Sequence, residues 1–339
     1  MVSSALNSHR FSPPAWLRGG HLQSTLSSLP PRRGRVLARS ASLRAAAVSE
    51  VIDCGDGVRL LAHRSRIGPA DCSEDADRPL LVLLHGWEGS ADSLYVLSLG
   101  SAAFSVGWDV LRLNFRDHGP SHHLNQGIFH SCRLDEVMGA LLAVRASSAT
   151  RRMALAGFSL GGNFALRIGA HPHAGAVGLS RILAVCPVLD PAVTLRRLEE
   201  GPGIYRHYFL RKWRRSLRAK QQAWPGDYDF RALLAGRSLT EMTATMVETY
   251  TDFGSLQSYL AGYALTGARL ADLRVESLLL TASDDPIIPD AELAELSDSA
   301  ALEVCLTRFG GHCGFLENLS GPSWLDGAAL GWLLAPPTS

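Results

Sequence analysis

The sequence predicts an α/β protein with a mainly parallel sheet and a helical insertion over one edge. Short apolar runs recur along most of the chain, and several are followed by longer stretches of helical character. This alternation stops between about 190 and 272, where the chain reads as helical. Near-continuous apolar runs mark strands buried on both faces, as in parallel sheets. Repeated strand-then-helix order implies βαβ units.

The strand-like runs are 58–61, 80–84, 110–113, 153–156, 182–185, 275–280 and 302–306. The helix-like stretches are roughly 92–105, 133–148, 160–170, 291–299 and 324–334. Residues 50–189 and 273–339 are therefore read as the core. Residues 190–272, with turns at Gly201-Pro202-Gly203 and Pro225-Gly226, are read as a cap. A helical insertion between strands of such a sheet lies over its carboxyl edge, where ligands bind. Residues 1–49 read as an irregular arm packing on the core, broken at Pro13-Pro14, Gly19-Gly20 and Pro30-Pro31. Arg32, Arg33, Arg35, Arg39 and Arg44 make the arm basic, and a solvated surface is expected for it.

The 339 residues are 46% hydrophobic and 19% charged, enough apolar surface for a substantial core. A formal net charge of +1 gives no reason to expect a nucleic-acid partner. The cysteines at 54, 72, 132, 186, 305 and 313 form no CxxC pair and no zinc-ribbon spacing. Free buried thiols and a reducing compartment are the expectation. The N-terminus lacks the apolar core of a signal peptide, and no run approaches the ~20 apolar residues of a spanning helix. A cytoplasmic protein is expected, of oligomeric state the sequence does not reveal.

Residues 153–165 read MALAGFSLGGNFA: an apolar strand runs into Gly157-Phe158-Ser159-Leu160-Gly161, and a helix pattern follows. This is G-x-S-x-G in the strand–turn–helix setting that gives the motif its meaning. The tight turn strains the serine backbone and holds its Oγ clear of the sheet, while Gly157 and Gly161 avoid collisions. A helix N-terminus also favours developing negative charge. The plain alternative is a Gly-rich turn without chemistry.

A serine needs a base, and in sheets built on this turn the order is Ser, then Asp or Glu, then His. His312 follows the last apolar run, inside Phe309-Gly310-Gly311-His312-Cys313-Gly314-Phe315, and is the candidate general base. The orienting acid should follow the preceding strand, where Asp284 and Asp285 compete. Asp285 opens the segment D-P-I-I-P and is favoured; Asp284 is then expected to shape the turn. The acid would accept a hydrogen bond from His312 Nδ1, fix the tautomer and stabilise the imidazolium. After 80–84 comes His85-Gly86-Trp87-Glu88-Gly89-Ser90. Gly86 permits close backbone approach, and the N–H groups of Trp87 and Leu160 are the candidate oxyanion donors. Trp87 could instead be a packing residue whose backbone still serves.

These segments resemble the YheT-like branch of the α/β hydrolases over nearly the whole chain. The resemblance rests on Pro14-Ala15-Trp16-Leu17-Arg18-Gly19-Gly20-His21-Leu22-Gln23-Ser24, the H-G-x segment, Asn114-Phe115-Arg116, GFSLGGN, DDPIIP and GGHCGF. It implies the α/β-hydrolase fold with a helical cap and an esterase- or lipase-like serine hydrolase using Ser159, Asp285 and His312. Small-molecule or lipid esters are the implied substrates, no cofactor or metal is expected, and an acyltransferase with the same nucleophile is the alternative activity. A non-catalytic binding protein on the same fold is a more distant reading. The turn after Asn114-Phe115-Arg116 departs from the glycine-rich turn common in relatives, reading Asp117-His118-Gly119-Pro120-Ser121-His122-His123.

Two further features stand out. His118, His122, His123 and His130, with Asp117 and Cys132 near, match no metal-binding spacing and read as a loop at the site mouth. Residues 204–220 carry Tyr205, Phe209, Trp213 and Leu217 at helical spacing with seven Lys or Arg and no acid. Such a helix either packs its aromatic stripe over the site, the preferred reading, or lies on an anionic membrane.

Overall fold

The computed structural model describes residues 11–68, 78–148 and 152–335. Eight strands form one sheet: β1 (Ala47–Asp53), β2 (Arg59–Ser65), β3 (Leu80–Leu84), β4 (Asp109–Leu113), β5 (Met153–Phe158), β6 (Leu179–Val185), β7 (Ser277–Ala282) and β8 (Leu302–Thr307). Their order across the sheet is β1-β2-β4-β3-β5-β6-β7-β8. β2 pairs antiparallel with both β1 and β4. The remaining pairs, from β4–β3 to β7–β8, are parallel.

Central strands β3 and β5 are buried along their whole length, which is why they read as unbroken apolar runs. Their side chains alternate between two cores. Val82 and Leu84 join Leu155, Val137, Leu141 and Phe164 on one face. Leu81 and Leu83 join Ala156, Leu97, Leu99 and Trp332 on the other. The covering helices are α4 (Leu94–Ser105), α5 (Leu134–Ala146), α6 (Leu160–Gly169) and α13 (Trp324–Leu334).

Three expectations need correction. Stretch 291–299 is not an α-helix; a 3-10 helix forms over its first half, at Asp290–Glu295. Edge strand β1 has no counterpart among the expected runs, because its sequence AVSEVID mixes polar residues with Val48 and Val51, both exposed. The arm is neither irregular nor merely solvated over its described part. Helices form at Gly20–Leu26 (α1), Pro30–Arg39 (α2) and Ala41–Ala45 (α3). Pro30 and Pro31 begin α2 instead of breaking it, since a helix's first turn needs no N–H donor there. Arg32, Arg35 and Arg39 donate to the carbonyls of Gly321, Leu319 and Ser320, and Leu17, Gln23 and Leu43 are buried. Residues 1–10 of that arm, and Cys72, lie outside the described residues. The five described cysteines are free thiols.

A short helix α7 (Ala174–Val177) precedes β6, and between β6 and β7 the chain forms α8 (Pro191–Glu200), α9 (Gly203–Ala223), α10 (Arg231–Ala235), α11 (Leu239–Tyr250), α12 (Leu256–Gly262) and a 3-10 helix at Ala268–Leu270. Asp190 starts this insert by capping α8, its carboxylate accepting the N–H groups of Ala192 and Val193. No helix among the described residues is long and apolar enough to cross a membrane.

Candidate active site

Ser159 stands between β5 and α6 with φ 53° and ψ −118°, a left-handed conformation costly for a residue with a Cβ. Its N–H donates to Val185 O at 2.8 Å, tying the turn to β6. The flanking glycines are required by contact. A Cβ on Gly157 would sit 2.1 Å from Gly161 O, and one on Gly161 2.5 Å from Leu84 O. Strand, turn and helix thus cross too closely for any side chain at either position. Gly86 similarly lets the loop after β3 approach, since its added Cβ would lie 3.2 Å from Ser159 Cβ.

His312 lies on the loop after β8, and its Nδ1 is 2.8 Å from Asp285 Oδ2. The Asp285 side chain is fully buried, while that of His312 is 14% exposed. Asp285 Oδ1 accepts the N–H groups of Ile287 and Ile288 at 2.8 and 3.0 Å, which fixes the carboxylate plane. Asp284 takes the other part: its Oδ1 accepts Gly311 N–H at 2.7 Å and holds the turn before the histidine. Burial opposes charging His312. The Asp285 carboxylate, the Cys313 sulfur and the hydrogen bond to Asp285 together outweigh it and lift the imidazole up to about 9.

The arm contributes support that the sequence reading missed. Ser24 Oγ accepts His312 N–H at 2.8 Å. Buried Gln23 bonds both the N–H and the carbonyl of Leu316. A Cβ on Gly20 would lie 1.7 Å from Asp284 O, so α1 presses on the loops carrying both aspartates and the histidine. The signal was present in the Gly-Gly-His-Leu-Gln-Ser segment, but nothing in the linear chain says that residue 24 meets residue 312.

Leu160 is the first residue of α6, so its N–H has no intrahelical acceptor. The N–H groups on either side of Trp87 are engaged, Gly86 with Tyr95 OH and Glu88 with His118 Nε2. That of Trp87 has no acceptor among the described residues. The Trp87 indole stacks on Phe209 at 5.1 Å and meets Trp213 edge-on at 5.3 Å.

Ser159, His312, Trp87 and Leu160 line a cleft between the sheet's carboxyl edge and the helical insert. Its walls are mostly apolar, with Leu195 and Leu198 of α8, Phe209 and Trp213 of α9 and Met246 of α11. Phe209 and Trp213 of the aromatic stripe in 204–220 therefore turn inward over the cleft, and Leu217 is buried. Another row of α9 clamps the loops beneath. Lys212 donates to Glu88 O, Ser216 to Asp117 O, and Lys220 pairs with Asp117 at 2.9 Å. Burial pushes the Asp117 carboxyl up to about 6, against the opposing pull of Lys220.

Two histidines of the histidine-rich loop are engaged by their neighbours. His118 Nδ1 contacts Arg116 O while its Nε2 accepts Glu88 N–H, and His122 Nε2 bonds Ser216 Oγ. These histidines do not converge on one point. Among the described residues the group of three donors within 4.8 Å of one another is Cys186, His312 and Cys313.

A mainly parallel sheet whose carboxyl edge carries a strained serine turn beneath a helical insert is the architecture of an α/β hydrolase. The chain belongs to the alpha/beta hydrolase family, whose sequence model matches residues 81–319. Within that family it is YheT-like. It is 25% identical over 268 residues to YheT of Escherichia coli (strain K12), covering 76% of each chain. It is 20% identical over 282 residues to the phospholipase ABHD3 of Homo sapiens, covering 80% of this chain and 67% of that one. Among solved structures, the Pyrococcus furiosus esterase Pf2001 superposes with a TM-score of 0.54 at 15% identity, over 85% of this chain and 91% of the other. That likeness concerns the fold.

Proposed function

We propose that this protein is a serine esterase that cleaves carboxylic esters with an apolar acyl group. The observation that carries the reading is the shared cleft: Ser159 and the Asp285-bonded His312 line one apolar cavity. In this reading 190–272 caps the core and supplies the acyl-binding wall. Ser159 Oγ attacks the acyl carbonyl as His312 Nε2 takes its proton. The tetrahedral oxyanion accepts the N–H groups of Trp87 and Leu160. The alcohol leaves with the proton from His312, and water then attacks the acyl-enzyme with His312 again as base. The names of the sequence relatives, YheT as an esterase and ABHD3 as a phospholipase, support this choice of bond.

Labelling with a fluorophosphonate probe tests the nucleophile, and a chain-length series of p-nitrophenyl esters tests the cleft. Wild-type protein should label and turn over, and Ser159→Ala should do neither while melting at an unchanged temperature. Each added methylene buried in the cleft is worth about 0.8 kcal/mol, roughly fourfold in kcat/KM until the walls are filled. Labelling that persists in Ser159→Ala would remove the assignment. A rate independent of chain length would remove the acyl site.

A further inference from the structure

We propose that the outer face of α9 docks the protein on an anionic lipid surface. The helix runs from Gly203 to Ala223, and no acidic residue occurs between Gly201 and Gly226. Two of its faces are already occupied, Phe209 and Trp213 by the cleft and Lys212, Ser216 and Lys220 by the loops below. The third looks outward.

On that face Ile204 is 61% and Tyr208 53% exposed. Arg211, Arg215 and Arg218 follow at helical spacing, all exposed. Among the described residues no carboxylate forms an ion pair with these three arginines. At the helix's N-terminal end His21 stacks on Tyr205 and bonds its hydroxyl at 3.0 Å. This brings in α1, whose Leu22 is also exposed. The surface is thus apolar and aromatic at one end and cationic along its length.

This chemistry fits phosphodiester headgroups above hydrocarbon. Arginines pair with anionic lipid, a tyrosine ring sits at headgroup level, and an exposed isoleucine reaches the acyl boundary. A polyanion without an apolar layer, such as nucleic acid, would leave Ile204 and Tyr208 without a role. Each arginine near an anionic leaflet is worth roughly fivefold in partitioning. The same helix carries Phe209 and Trp213 on its inner side. Docking would therefore hold the cleft about one helix diameter, ~10 Å, from the lipid.

Flotation with phosphatidylcholine vesicles, with and without phosphatidylglycerol, tests this on the full chain. Wild-type protein should float with the anionic vesicles and not with the neutral ones. The triple variant Arg211→Gln, Arg215→Gln, Arg218→Gln should lose binding by on the order of a hundredfold. Ile204→Asp with Tyr208→Asp should lose it too. All five positions are exposed, so unchanged melting temperatures should confirm intact folds. Failure to float with anionic vesicles, or equal flotation with neutral ones, overturns the proposal. So does binding that survives the Ile204→Asp, Tyr208→Asp change, which would mark a polyanion site instead.

Discussion

Substituting Asp285 and Asp284 separately with asparagine distinguishes orientation of the base from support of its loop. In Asp285→Asn, the N–H groups of Ile287 and Ile288 still demand an acceptor at the Oδ1 position, so the amide oxygen stays there. The amide NH2 then faces His312 Nδ1, where 2.8 Å separates donor from acceptor in the native pair. Two donors cannot share that bond, and the imidazole moves its proton to Nε2. A base protonated on the side facing the serine cannot accept the serine's proton. A loss of about 10⁴ in kcat is expected, ~5.4 kcal/mol of transition-state stabilisation. Asp284→Asn retains an acceptor for Gly311 N–H and exchanges a charge-assisted bond for a neutral one. That costs about 1 kcal/mol, roughly fivefold. Steady-state kcat on a soluble ester, with melting curves for both variants, reads the difference. Comparable losses in the two variants, or an Asp285→Asn enzyme within tenfold of wild type, would refute the assignment.

Four other outcomes follow from the same geometry. In the proposed mechanism the working base is neutral His312, which is lifted to about 9, so kcat/KM for an uncharged ester should climb with pH, pass its midpoint near 9 and level off above it; a plateau already reached at pH 7 would contradict a raised His312. The raised value also means that protonated His312 stabilises the fold below the ordinary histidine range, a contribution lost as pH rises through about 9, which melting curves against pH would register. Gly157→Ala forces a Cβ to 2.1 Å from Gly161 O and should cost about 3 kcal/mol or more, lowering the melting temperature by several degrees; a native-like melt would show that the turn can relax. Lys212→Met removes a charge-assisted bond to Glu88 O and should lower kcat/KM about tenfold with secondary structure intact by circular dichroism; full activity would mean that α9 does not position the Trp87 loop.

What was legible in the chain is what burial writes into local pattern. Strand β3 was readable at its observed bounds because both its faces are covered, and the serine turn because its glycines answer to contacts a few residues away. Strand β1 was not, since an edge strand with polar residues on an exposed side has no continuous apolar run. The arm misled for a related reason. Proline and glycine were read as breakers, yet Pro30 begins a helix and Gly20 allows α1 to press against Asp284. The preference for Asp285 over Asp284 rests on the segment D-P-I-I-P alone, and only the fold shows which carboxylate faces Nδ1. The bond from His312 N–H to Ser24 spans 288 positions, a distance that no local signal encodes.

Helix α9 joins parts of the molecule that the chain keeps apart. Phe209 and Trp213 form a wall of the cleft and grip the Trp87 indole, while Lys212 binds the carbonyl of the very next residue, Glu88. In the proposed mechanism, the loop that offers an N–H to the oxyanion is therefore shaped by the same helix that would contact the acyl group. Glu88 itself has φ 55°, a conformation that needs outside support in a residue with a Cβ. A substrate that fills the cleft packs against Phe209 and Trp213 and presses on that support. Acyl-chain binding and oxyanion stabilisation should consequently rise together, so that longer acyl groups improve kcat as well as KM.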